Sequence, residues 1–101
     1  MNIKDMENIN GMPRSIKITV FYDSTLQKIT GTESDPVFMS EWSTFVYLLK
    51  NVFISYPEIE KKYPPGQLGF IINGKPPTNP TTPLFDGDKV EFIVSPTFSR
   101  M

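Results

Sequence analysis

The 101-residue chain contains no cysteine and no histidine, and its ten lysines and arginines nearly balance eleven aspartates and glutamates, for a net charge of −1. Without cysteine there is no disulfide, zinc–thiolate site, iron–sulfur ligation or thiol nucleophile. Without histidine the usual neutral-pH general base, the commonest metal ligand and every Ser-His-Asp or Cys-His arrangement are also excluded.

At this length one domain is expected, able to bury about 65% of the surface its unfolded chain exposes. The composition favours binding over catalysis. No basic block is present: Lys61 and Lys62 sit beside Glu58 and Glu60, as on a solvated helical face. The counterion release that drives nucleic-acid binding has little to act on. No apolar run approaches the ~20 residues of a transmembrane helix. Asp5 and Glu7, with no apolar h-region, argue against a secretory signal. The expectation is a soluble, cytoplasmic protein with no metal, no cofactor, no nucleic-acid partner and no membrane partner.

Residues 1–15 are polar and aperiodic, and read as a disordered N-terminal extension to a domain over residues 16–94. Ile16, Ile18, Val20 and Tyr22 alternate with Lys17, Thr19, Phe21 and Asp23, the period of a half-buried strand. Leu26 and Ile29 before Gly31 suggest one helical turn closed by glycine. A short strand fits residues 37–39, with Pro36 at its first position or on a sheet edge. Phe45, Leu48, Leu49, Val52, Phe53 and Tyr56 form one apolar helical stripe, with Thr44 or Ser40 as N-cap. Trp42, just before this helix, is expected to pack. Pro57 ends the helix, and residues 58–63 suggest one further turn.

Leu68, Gly69, Phe70, Ile71 and Ile72 read as a third strand ending in the tight-turn pair Asn73-Gly74. Residues 75–83 hold four prolines, and read as a stiff surface connection with little hydrogen-bonding capacity. No Pro-x-x-Pro there is flanked by basic residues, so a proline-rich docking ligand is not indicated. Asp86-Gly87 makes a turn into a last strand in which Val90, Phe92 and Val94 alternate with Lys89, Glu91 and Ile93. Residues 95–101 read as a flexible tail. The order strand, short strand, helix, strand, loop, strand is an α+β roll: one main helix across a small mixed sheet.

Asn73-Gly74-Lys75, followed by Leu84, Asp86, Gly87, Asp88 and Val90, resembles the signature of MoaD and ThiS, the small ubiquitin-like sulfur carriers of molybdopterin and thiazole synthesis. The strand around Ile18, the Leu26 to Gly31 turn and the helix start at Thr44 and Phe45 match that family in the same order. The resemblance covers residues 16–94. It implies a ubiquitin-like β-grasp with the first and last strands parallel at the sheet centre. It also implies partners such as a MoaE-like or ThiG-like protein or an adenylating enzyme. Two aspartates about a turn fall short of a Ca²⁺ ligand set, so Asp86 and Asp88 are expected to bond turn amides.

In that family a C-terminal Gly-Gly carboxylate is adenylated and converted to a thiocarboxylate. The spacing from the signature places those glycines at Phe98 and Ser99, and no glycine follows Gly87. Three functions follow. The first is a non-catalytic protein-binding relative that has lost the diglycine. The second is a functional sulfur carrier with an atypical C-terminus. The third is a small enzyme with a carboxylate or lysine base, for which no paired acids are seen. The partner-binding candidates are the tail residues Phe98 and Ser99 and the sheet-face residues Phe21, Ile71 and Ile93. Those three either dock a partner, or one or two of them are covered by the tail or loop prolines or are isolated exposed residues. The tail either folds back or anchors in a partner.

Overall fold

The computed structural model describes residues 14–64, 66–77 and 79–94. Its elements are β1 (Ser15–Tyr22), α1 (Gln27–Thr30), β2 (Ser34–Ser40), α2 (Phe45–Ser55), α3 (Pro57–Lys62), β3 (Leu68–Ile72) and β4 (Lys89–Val94). The four strands form one sheet in the order β2-β1-β4-β3. β1 and β4 are parallel at its centre, with Val20 opposite Val90 and Tyr22 beside Phe92. The outer pairs, β1 with β2 and β3 with β4, are antiparallel. This matches the α+β reading of the elements, and it is the ubiquitin-like β-grasp that the resemblance implies.

The period-2 pattern of β1 puts Ile16, Ile18, Val20 and Tyr22 inside, where they meet Val90 and Phe92 of β4. The stripe of α2 closes over them: Phe45, Leu48 and Val52 are buried, and Leu49, Phe53 and Tyr56 are partly so. Four edge-to-face ring pairs run through this core, Phe45–Phe70, Phe70–Phe92, Phe92–Tyr22 and Tyr22–Tyr56, with centroids 5.0 to 6.2 Å apart. Such pairs contribute about 0.5–1.5 kcal/mol each beyond the area they bury. Pro57 ends α2 and begins α3 at its first turn, where its missing N–H leaves no bond unmade. Ile59 then adds a fully buried side chain to the same core.

Three sequence expectations are corrected. The second strand covers seven residues rather than three, because Ser34, Asp35 and Pro36 pair with Phe21, Val20 and Thr19 through the backbone, which leaves no apolar mark. Pro36 is tolerated because β2 is an edge strand. The proline-rich connection is not a passive spacer. The Phe45 N–H donates to the Thr82 carbonyl at 2.9 Å and the Val46 N–H to the Pro80 carbonyl at 3.0 Å. Thr44 is the N-cap residue of α2 but makes no side-chain cap bond, so these two carbonyls satisfy first-turn donors instead. Trp42, finally, does not pack: its side chain is 77% exposed.

Candidate partner-binding site

Among the described residues, helices cover one face of the sheet and none covers the other. Strand register assembles the second. Phe21 of β1 and Ile71 of β3 both stand opposite Glu91 of β4, so the three side chains form a row across the sheet. Ile93 stands opposite Gly69, which has no side chain to screen it. Phe21, Ile71 and Ile93 are each half-buried, while Glu91 is exposed. Phe38 belongs to this face by its pairing with Lys17 and is 67% exposed. Placing the second strand at Phe38 already gives it outward parity, the signal that would have named it.

The residues of the sequence signature form one hydrogen-bonded clip. Asp86 accepts the Lys17 N–H at 2.8 Å, and the Gly87 N–H donates to the Lys17 carbonyl at 2.9 Å. Both groups of Lys17 are thereby tied to the turn that precedes β4. Asp88 accepts the Phe85 N–H through Oδ2 at 2.8 Å and the Asn73 side-chain amide through Oδ1 at 2.9 Å. The Asn73 Oδ1 in turn accepts the Lys89 N–H at 2.9 Å. Asn73 and Gly74 both lie at positive φ, 49° and 86°, as a two-residue primed turn requires. Gly87 has φ 88°, and Leu84 is 1% exposed. Thus Asn73, Gly74, Leu84, Asp86, Gly87 and Asp88 hold the start of β1 to the start of β4. Among the described residues no group of three or more acidic side chains could hold a metal ion.

At the opposite end of the parallel pair, Asp23 secures the exit of β4. Its Oδ2 accepts the Val94 N–H at 2.7 Å and its Oδ1 accepts the Leu26 N–H at 2.8 Å. Val94, the last described residue, is thereby fixed beside Asp23. Phe98 and Ser99 lie outside the described residues, as does the extension before Arg14.

A second cluster ties the β2 edge to α2. The Tyr22 and Tyr56 hydroxyls both donate to Asp35 Oδ2, at 3.0 and 2.6 Å. Burial, and then the Asp35 carboxylate, push the Tyr22 phenol far above its ordinary value. For Tyr56 the hydrogen bond to Asp35 is the leading cause of an upward shift.

No protein-family model matches the chain, and no curated protein does. Solved structures do match in fold. Putative molybdopterin converting factor subunit 1 of Pyrococcus furiosus aligns with a TM-score of 0.70 at 17% identity, over 78% of this chain and 97% of that one. Small archaeal modifier protein 1 of Methanosarcina acetivorans aligns with a TM-score of 0.70 at 17% identity, over 83% and 97%. A chain from the complex of subunits 1 and 2 of the Helicobacter pylori molybdopterin-converting factor aligns with a TM-score of 0.55 at 16% identity, over 79% and 95%. The likeness runs over nearly the whole of those proteins. At these identities it is one of fold: the chain has the ubiquitin-like β-grasp of such converting-factor subunits and small modifiers. Among the described residues no helix is long and apolar enough to cross a membrane.

Proposed function

We propose that the chain is a non-catalytic, cytoplasmic protein-binding relative of the β-grasp sulfur carriers, which docks a partner on its uncovered sheet face. The observation that carries the reading is the row formed by Phe21, Glu91 and Ile71 with Ile93 beside it. Its apolar members, Phe21, Ile71 and Ile93, are left partly open around Glu91, while among the described residues helices cover only the other face. Apolar area of this kind, with Phe21 and Ile93 on the two central strands and Ile71 on the edge strand β3, supports a contact surface. A partner of the converting-factor subunit 2 type fits the fold likeness, since the Helicobacter pylori neighbour was solved as a complex of subunits 1 and 2.

The sequence resemblance expects the carrier glycines near Phe98 and Ser99, and a side chain as large as Phe98 there favours binding over sulfur transfer through a channel that admits a glycine backbone. The fold shared with converting-factor subunit 1 favours a second reading, a working sulfur carrier. Intact-mass measurement after incubation with an adenylating enzyme, ATP and a sulfur donor separates the two. The binding-module reading expects no covalent change. An adenylate or thiocarboxylate mass overturns it.

A further inference from the structure

β2 lies at one edge of the sheet, and the alternation of its backbone bonds decides which of its groups stay open. The Tyr22 N–H donates to the Glu33 carbonyl at 2.9 Å and the Glu41 N–H to the Arg14 carbonyl at 2.7 Å, at the two ends of the β1–β2 register. Bonded pairs alternate along an antiparallel ladder, so Asp35, Val37 and Met39 turn their backbone groups to β1, and Ser34, Pro36, Phe38 and Ser40 turn theirs outward. Pro36 therefore stands where its missing N–H takes nothing from the sheet. Of the outward carbonyls, that of Ser34 accepts the Thr32 hydroxyl at 3.0 Å and that of Ser40 accepts the Ser43 N–H at 3.2 Å. The Ser34 N–H, the Pro36 carbonyl, the Phe38 N–H and carbonyl and the Ser40 N–H have no hydrogen-bond partner among the described residues. The other edge is closed further: Lys75 bonds both the N–H and the carbonyl of Ile72, at 2.7 and 3.0 Å.

We infer that the β2 edge pairs antiparallel with the β2 edge of a second copy of the chain, about a twofold axis at Phe38. The set of open groups is the deciding observation, because it is complementary to itself. With Phe38 opposite Phe38 of the second copy, each Phe38 N–H donates to the other's carbonyl. Pro36, which can only accept, then stands opposite Ser40, whose N–H is open and whose carbonyl is already taken. Every open group of Pro36, Phe38 and Ser40 is satisfied, and nothing is left over. The same register sets the two Phe38 rings, 67% exposed in the single chain, side by side on the uncovered face, where a cross-strand aromatic pair adds to the contact. It also sets Asp35 opposite Glu41, beyond the end of β2, a repulsion that salt screens, so the test is run in added salt. An unprotected edge is a template for a further strand, and isologous pairing closes it as a dimer. This pairing leaves Phe21, Ile71 and Ile93 open, so it stands apart from the sheet-face interaction proposed above.

The test is sedimentation equilibrium of the wild-type chain and of Ser40→Pro, from micromolar to millimolar, with circular dichroism confirming that each is folded. The expected result is a monomer–dimer equilibrium that Ser40→Pro weakens at least about tenfold, since each copy loses one bond to the other and none to β1. A disulfide supplies a second measurement, because the chain has no cysteine of its own. A bonded antiparallel pair holds its Cα atoms about 5.5 Å apart, within disulfide reach. Mild oxidation is therefore expected to cross-link Phe38→Cys into dimers much faster than Lys75→Cys, an exposed position by the opposite edge. A wild-type chain that stays monomeric to millimolar concentration overturns the inference. So does a dimer that a folded Ser40→Pro leaves intact, or equal cross-linking at the two positions. If Ser40→Pro fails to fold, the two cross-linking rates decide.

Discussion

Replacing Asp23 tests how the exit of β4 is held. Its two carboxylate oxygens each accept one backbone N–H, from Val94 71 residues away and from Leu26 at the start of α1. Hydrogen bonds to a charged group contribute about 1.5–3 kcal/mol each, and the partly buried setting lets water recover some of this. Taking the lower figure for both bonds, Asp23→Ala is expected to cost about 3 kcal/mol. Asp23→Asn keeps one acceptor but turns an amide NH₂ toward the other N–H, and is expected to cost about 2 kcal/mol. For a domain of this size roughly 3 kcal/mol lowers Tm by about 12–24 °C. Urea unfolding gives the stability, and amide exchange at single residues gives its location. Protection is expected to fall at Val94 and Leu26 more than at the central pair Val20 and Val90. A loss below about 0.5 kcal/mol, typical of an inert surface position, would refute the assignment.

Leu84→Ala, which empties a side chain 1% exposed, is expected to cost about 2–5 kcal/mol in denaturant melts; Phe85→Ala next to it, 60% exposed, should stay within about 0.5 kcal/mol. Gly87→Ala meets no atom within 4 Å, so its expected loss of about 1–2 kcal/mol comes from the backbone at φ 88° alone, and an unchanged melt would contradict this. Tyr22 and Tyr56 have folded-state phenol values above their unfolded value near 10. Their protonated forms therefore stabilise the fold fully below pH ~10, and that contribution is lost as pH rises beyond it. Tyr22→Phe is expected to lower stability at neutral pH through the lost Asp35 bond and to flatten the alkaline decline; an equally steep decline would count against the cluster.

Much of the fold is legible in the sequence because it rests on side-chain periodicity. The alternation in β1 and β4, the α2 stripe and the Asn73-Gly74 and Asp86-Gly87 turns all follow from local rules. The features that escape are of a different kind. Ser34 and Asp35 join β2 through backbone pairing, and the carbonyls of Pro80 and Thr82 cap α2 as no side chain would announce. Asp35 draws Tyr22 and Tyr56 together from 13 and 21 residues away, a juxtaposition that only topology creates. The outward parity of Phe21, Ile71 and Ile93 can be read from the strands. The exposure of Trp42 cannot, because an aromatic before a helix ordinarily packs and its positive φ has no signature in composition. The MoaD and ThiS resemblance reaches the fold through residues that fasten turns, which is why it speaks to architecture more strongly than to chemistry.

The sheet-face interaction is tested most directly by titrating wild-type chain and Ile93→Asp against purified MoaE-like, ThiG-like and adenylating enzymes by calorimetry, with a thermal melt of each chain alongside. Ile93 is half-buried on the uncovered face, so the aspartate is expected to weaken binding to the recognised partner at least about tenfold, equivalent to 1.4 kcal/mol. The accompanying drop in Tm should stay near 4–8 °C, about 1 kcal/mol for this size of domain. Equal affinity for the two chains, no binding by the wild type, or a collapse of the melt would contradict a docking role for this face.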